Sequence, residues 1–334
     1  KHRFEGMWPL PYGVSYNSYL IDDEMVALVD TVDICYFEVY LRKIKQVIGE
    51  RPINYLIINH MEPDHSGSIR LIKQHYPEII IVGNKQTFGM IEGFYGVTGE
   101  QYLVKEGDFL ALGHHKLRFY MTPMVHWPET MMTFDETDGV LFSGDGFGCF
   151  GTVDGGFLDT RINVDKYWGE MVRYYSNIVG KYGSPVQKAL QKLGGLPISA
   201  ICSTHGPVWT ENIAKVIGIY DRLSRYDADE GVVIAYGSMY GNTEQMAEAI
   251  AEELSAQGVK NIVMHNVTKS HPSYIIADIF RYKGLIIGSP TYSNQIFPEV
   301  EALLSKILLR EVKGRYLGYF GSFAWAGAAV KRLA

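Results

Sequence analysis

The chain has 334 residues, 47% of them hydrophobic and 20% charged, with a formal net charge of −6 and a mean hydropathy near zero. That is the balance of a globular protein with room for two ordinary domains. No apolar run reaches the length of a bilayer span, the first residues do not read as a signal peptide, and the acidic balance without a long Lys/Arg run argues against nucleic acid.

Three cysteines, Cys35, Cys149 and Cys202, lie far apart with no C-x-x-C. They predict neither a disulfide frame nor a thiolate metal site, and point to a cytoplasmic location. Both ends read as cut: the chain opens on Lys1 and stops at Ala334 inside a helical stretch.

In chain order, residues 13–21 and 25–30 read as a hairpin turned by Asp22-Asp23. Residues 36–48 have helical spacing, with Val39, Leu41, Ile44 and Ile48 on or near one face. Residues 54–58 are a short apolar run that predicts a buried strand, followed by a loop over 59–67 and a helix from about 66 to 75. Residues 78–82 predict another buried strand. Three later strands each end beside Gly or Pro with a His or Asp close by. Residues 117–121 run towards Val125-His126-Trp127-Pro128-Glu129, 139–143 deliver Gly144-Asp145-Gly146, and 198–202 deliver Ser203-Thr204-His205-Gly206-Pro207. Loops held by a rigid scaffold are where sites are usually built.

The polar stretch 223–230 places a boundary near Asp227, giving domains 1–227 and 228–334. Beyond it, strand 231–236 leads into Gly237-Ser238-Met239-Tyr240-Gly241-Asn242-Thr243 and a helix over 244–256, with Asn242 as its N-cap. Strand 283–288 leads into Ser289-Pro290-Thr291-Tyr292-Ser293-Asn294, with a helix from about Pro298. Strand 315–321 leads into Ser322-Phe323-Ala324-Trp325-Ala326-Gly327. This alternation predicts a doubly wound parallel sheet, whose ligands bind at the carboxyl ends of the strands. The first loop offers backbone N–H groups, Ser238 and Thr243 to a phosphate. Tyr292 and Trp325 offer rings to a flat heterocycle.

Four potential metal ligands, His60, Glu62, Asp64 and His65, fall within six residues, and His126, Asp145 and His205 bring the set to seven. A lone His or Asp in a loop is more often a turn or cap residue. Four imidazoles and three carboxylates suit two five- or six-coordinate ions, each with two imidazoles and one carboxylate, and one carboxylate bridging. Spacing does not say which residues share an ion. His114-His115 beside Gly113 reads as a solvated turn, and His75, His265 and His271 as surface residues. Tyr16, Tyr19 and Trp127 are candidates to stand behind the ligands.

The pattern His60-x-Glu62-x-Asp64-His65, with His126, Asp145 and His205 at long intervals, resembles the metallo-β-lactamase fold, an αββα sandwich. The usual motif there has His where this chain has Glu62. That variant, with Val125-His126-Trp127-Pro128-Glu129 and Gly144-Asp145, resembles the flavodiiron proteins (A-type flavoproteins). An added carboxylate suits a harder ion such as iron. The resemblance implies one iron on His60, Glu62 and His126, a second on Asp64, His65 and His205, and Asp145 as bridge.

Ser238-Met239-Tyr240-Gly241-Asn242-Thr243, with Ser289-Pro290-Thr291-Tyr292, resembles flavodoxin. It implies FMN held by Ser238 to Thr243, by Ser289, Pro290, Thr291, Tyr292 and Asn294, and by Ser322, Phe323, Ala324, Trp325 and Gly327. Against that fold the chain stops before the fifth strand and last helix. No G-x-G-x-x-G accompanies it, which weighs against direct NAD binding.

Together the two resemblances imply reduction of O2 to water or of NO to N2O, with electrons passed from FMN to two irons. They also imply a rubredoxin or a flavin- or NADH-dependent reductase as donor, and a head-to-tail homodimer or dimer of dimers. A zinc hydrolase of the lactamase superfamily fused to a flavodoxin-like module is the alternative.

Overall fold

The computed structural model describes residues 2–334, which divide into two compact units. The first is built mainly of Leu10–Met171 and Ser184–Asp221, the second mainly of Val172–Gly183 and Arg222–Ala334.

The first unit holds two five-stranded sheets. One runs in the order β1 (Tyr19–Ile21), β2 (Ala27–Val29), β3 (Tyr55–Ile57), β4 (Ile80–Gly83) and β5 (Gln101–Leu103). It is parallel except for the β1–β2 pair. The other comprises β6 (Phe109–Ala111), β7 (Lys116–Met121), β8 (Met131–Asp135), β9 (Val140–Gly144) and β10 (Ala200–Ser203), antiparallel except for β9–β10.

Alternation along each strand decides the layers. Ala27, Val29, Ile57 and Val82 face Leu117, Phe119, Phe142 and Cys202 in the core between the sheets. Leu28, Leu56 and Ile81 point the other way, onto Phe37, Leu41, Ile44 and Ile48 of α1 (Phe37–Ile48) and onto Ile69, Ile72, Phe88 and Ile91. The unit is thus the expected αββα sandwich.

Several local expectations shift. The hairpin shrinks to three residues a side, because Ser15 and Asn17 turn their side chains to the His205 loop. Val39 is exposed, and Phe37 and Tyr40 take the buried face of α1. The 59–67 loop contains a helical turn, α2 (Pro63–Ser66), opened by Pro63, and α3 starts only at Ile69 (Ile69–His75).

The second unit has parallel strands in the order β12 (Ile262–Asn266), β11 (Asp229–Tyr236), β13 (Tyr282–Tyr292), β15 (Tyr316–Ser322). The short β14 (Gln295–Ile296) folds back on β13, so Ser289 to Tyr292, expected as loop, extend the strand. Helices α4 (Asn242–Ala256), α5 (Pro272–Arg281), α6 (Pro298–Leu308) and α7 (Ala328–Leu333) alternate with these strands. Val232, Ile234, Tyr236 and Ile286 pack on Ala247, Ile250 and Leu254 of α4. The early segment enters this unit through Asn177 Nδ2, which donates to Ser273 O at 3.0 Å, and through Tyr175 against Phe280.

Candidate functional site

The seven ligand-type residues leave the ends of β3, β7, β9 and β10, and each loop is pinned. After β3, Asn59 accepts from Thr133 Oγ1 (2.8 Å) and donates to Phe142 O (3.3 Å), while Asp30 Oδ1 takes the N–H groups of Asn59 and His60. The α2 turn places Asp64 and His65, and Ser66 Oγ ties it back to Met61 O. After β10, Asn17 Nδ2 donates to Ser203 O and Gly206 O, both at 2.9 Å, and Tyr19 OH donates to Ser203 O. Gly206 sits at φ +84°, where a Cβ would also lie 2.4 Å from Cys149 Sγ, so only glycine turns the chain here.

The side chains gather in two sets whose ligand atoms lie within 4.8 Å of one another: His60, Glu62, His126 and Asp145, and Asp64, His65 and His205. Asp145 stands between them. Its Oδ2 is 3.0 Å from His126 Nε2 and 3.6 Å from His60 Nε2. Its Oδ1 is 3.0 Å from His65 Nε2 and 3.7 Å from His205 Nε2. Glu62 Oε2 lies 3.1 Å from His126 Nε2 and 3.3 Å from His60 Nε2, and Asp64 Oδ2 is 3.3 Å from both His65 and His205.

This donor set fits metal. His60 donates its Nδ1–H to Glu129 Oε1 (2.8 Å) and His205 its Nδ1–H to Ser15 O (2.8 Å). Both rings therefore aim Nε2 lone pairs at carboxylate oxygens, and His205 Nε2 meets His65 Nε2 at 3.0 Å. Lone pairs converging on anions call for a cation between them. Both oxygens of Asp64 are buried without a hydrogen-bond partner.

Electrostatics agrees. Burial opposes charge on His65, but Asp64 and Asp145 outweigh it and raise its pKa to about 9. Burial likewise opposes charge on His60, yet Asp145, Glu129 and Glu62 hold its pKa well above the usual imidazole value. Burial would raise the Asp145 carboxyl, but His65, His60 and His126 hold it well below the ordinary range.

Of the residues expected behind the ligands, Trp127 stands edge-on to His60 at 5.3 Å and Tyr16 edge-on to His205 at 5.6 Å. Tyr19 spends its hydroxyl on Ser203. His115, expected in a solvated turn, is half-buried and bonds Asp135 through Nδ1.

In the second unit the three loops leave the carboxyl ends of β11, β13 and β15. The first and third meet where Thr243 Oγ1 bonds Ser322 Oγ at 2.9 Å. Gly241, not Asn242, is the N-cap of α4, at φ +90° and without a side-chain cap bond, because Asn242 already has helical conformation. The helix therefore opens on uncapped N–H groups, as an anion site does. Ser238 Oγ accepts from Gly241 N, Ser289 Oγ from Phe297 N, and Thr291 Oγ1 from Ala329 N. Met239, Tyr240, Asn294, Phe323, Ala324 and Tyr292 face solvent, and Trp325 is 85% exposed. Pro290 is buried and Gly327 half-buried at the same rim. Exposed rings beside an uncapped helix start suit a flat, phosphate-bearing ligand.

Sequence reasoning gave no role to Ser15, Asn17, Asp30, Thr204 or Glu129. Thr204 Oγ1 bonds Asp145 Oδ1. Glu129 carried the one available signal, a carboxylate three residues after His126.

The profile of the ODP family β-lactamases matches residues 14–206, and that of the flavodoxins matches residues 234–334. The anaerobic nitric oxide reductase flavorubredoxin of Vibrio vulnificus is 33% identical over 326 residues, 96% of this chain and 66% of its own length. Its counterpart from Escherichia coli O1:K1 / APEC is 32% identical, covering 96% and 68%. Among solved structures, the rubredoxin oxygen:oxidoreductase of Desulfovibrio gigas superposes with a TM-score of 0.95 at 31% identity, covering 99% of this chain and 84% of that one. The flavodiiron protein of Giardia intestinalis superposes with a TM-score of 0.96 at 28% identity, covering 100% and 82%. The chain spans about two thirds of the length of the curated relatives it matches.

Proposed function

This chain belongs to the flavodiiron protein family, and on that premise we propose that it is an oxidoreductase that reduces O2 to water, NO to N2O, or both. The carrying observation is Asp145, which turns one oxygen to each of two sets of buried ligands. Two irons bound there would supply redox chemistry to the gas, fed with electrons by FMN held in the second unit.

The residues divide the work. His60, Glu62 and His126 would hold one metal, Asp64, His65 and His205 the other, and Asp145 both. Glu62 replaces an imidazole with a carboxylate and so favours iron over zinc. Thr204 and Asn59 fix the approach of Asp145 and His60. Tyr16 lies on an open groove of 910 Å³, lined also by Tyr36, Phe157 and Gly206. Burial, with Asp64 and Asp33 nearby, raises its pKa and keeps its hydroxyl protonated beside His205. That makes Tyr16 a candidate proton holder beside His205.

Ser238, Gly241 and Thr243 would take the FMN phosphate, and Tyr292 and Trp325 the ring system. The names of two relatives support a rubredoxin-type donor, with a flavin- or NADH-dependent reductase as the other candidate. A head-to-tail homodimer or dimer of dimers in the cytoplasm completes the reading. Among the described residues no helix is long and apolar enough to cross a membrane.

The test is elemental and flavin analysis of protein purified without oxygen, followed by O2 and NO consumption with a reduced rubredoxin. Two irons and one flavin per chain, with gas consumption, are expected. Zinc after iron-replete expression, with hydrolysis and no gas uptake, would establish the hydrolase alternative.

A further inference from the structure

The two halves of the cluster rest on different supports. Behind the first, Glu129 Oε1 accepts both the Nδ1–H of His60 and the N–H of Met61, each at 2.8 Å. His60 and Glu129 are both 0% exposed, and Glu129 Oε2 has no hydrogen-bond partner. The Glu129 backbone is anchored separately, its carbonyl accepting from Asn84 Nδ2 at 2.6 Å. A full negative charge is thus committed to one imidazole where water does not screen it.

The second half is held differently. His205 gives its Nδ1–H to the neutral carbonyl of Ser15, and His65 Nδ1 is buried without a hydrogen-bond partner. An imidazole that donates to a carboxylate is fixed in one tautomer. It is also a stronger donor at its other nitrogen than one that donates to a carbonyl.

We propose that Glu129 is a positioning residue that makes the two metal positions unequal. The position formed by His60, Glu62 and His126 fills first with a divalent ion, and the position formed by Asp64, His65 and His205 fills second. This rests on the two-metal reading above.

The probe is Co(II), titrated without oxygen into the full chain after chelation of its metal and read by visible absorption. The wild-type chain takes two Co(II) in two separated steps. Glu129→Gln keeps an oxygen acceptor for His60 but removes the charge. It weakens the first step about 10- to 100-fold, the usual range for such outer partners, and leaves the second step and the first-step band shape in place. Glu129→Leu, which also removes the acceptor, weakens the first step further and alters that band. His205→Ala still binds one Co(II) with wild-type first-step affinity, whereas His126→Ala loses that step.

An unmoved first step in a folded Glu129→Gln chain, or loss of the first step in His205→Ala, would overturn the proposal. So would two wild-type steps of equal affinity. If Glu129→Gln does not fold, the contrast between His126→Ala and His205→Ala still decides the order. Fewer than two Co(II) on the wild-type chain would refute the two-metal reading itself.

Discussion

Asp145→Asn tests the centre at its most connected point. The asparagine has the shape of the aspartate and retains an oxygen for Thr204, which bonds Oδ1 at 2.5 Å. It lacks the charge, and its second terminal atom becomes an N–H donor aimed at one of the two sets. Each carboxylate oxygen of Asp145 approaches a ligand nitrogen of its own set at 3.0 Å, so both positions lose a shared anionic ligand. Loss of an outer partner alone weakens a metal about 10- to 100-fold, so the position of His60, Glu62 and His126, which faces the new N–H group and loses its ligand outright, should weaken at least about 100-fold.

The effect on stability follows by mass action. At a metal concentration 100 times the dissociation constant, one bound ion stabilises the fold by about 2.7 kcal/mol, and after a 100-fold weakening by about 0.4 kcal/mol. The loss of about 2.3 kcal/mol for that ion lowers the metal-dependent unfolding midpoint by roughly 5–9 °C at about 2–4 °C per kcal/mol. Metal content and thermal unfolding, with and without Fe(II) under argon, measure both quantities, and flavin absorbance should not change. An Asp145→Asn chain that retains two metals and the wild-type rise in midpoint would refute the bridging role.

Asn17→Ala removes two hydrogen bonds to the His205 loop. Tyr19 OH still donates to Ser203 O and Ser15 Oγ to Gly206 O, so at about 0.5–1.5 kcal/mol for each bond lost the unfolding midpoint should fall, and metal should be lost from the second position before the first. Trp325→Ala changes a side chain that is 85% exposed, so chain stability should stay within about 0.5 kcal/mol. FMN affinity, read by fluorescence quenching, should fall several-fold, about 0.5–1.5 kcal/mol for one lost ring contact. In the native chain at pH 8 only the exposed Cys35 should react with a thiol reagent, whereas all three cysteines react in denaturant. Burial pushes the Cys202 thiol up to about 12 from 9.0. A raised folded pKa means that this group's contribution is intact below pH 9 and is lost as pH climbs towards 12, so an alkaline unfolding titration should show the loss in that window.

The ligands were legible because each announces itself locally. An apolar run stops, a Gly or Pro follows, and a His, Asp or Glu stands at the break. The sandwich was legible only through the resemblance that those ligands carry, because Ala27, Leu28 and Val29 are all apolar and divide between two buried faces with no polar alternation to mark it. What escaped was either without period or far away in sequence. All five residues of β8 are buried and show no alternation, and β12 is a half-buried edge with His265 inside it. Ser15 and Asn17 reach their partners across 186 to 191 residues. Glu129 meets His60 across 69, and no spacing rule connects the two.

Charge explains why these carboxylates occur together. Glu62, Asp64, Asp145 and Glu129 bring four negative charges to one largely dehydrated space, and an unpaired buried carboxylate costs several kcal/mol. Without metal the histidines must take up protons to offset them, which is why His60, His65 and His126 all have raised pKa values. Two divalent ions supply the same four positive charges and release the ring nitrogens as ligands, whereas a single ion would leave two charges unmatched. The identity of residue 62 then separates the chemistries. A histidine there would lower the negative charge to three, enough for a metal of fixed valence. The extra carboxylate of Glu62 stabilises a higher oxidation state, a property that serves iron in a reductase and has no use in a zinc hydrolase.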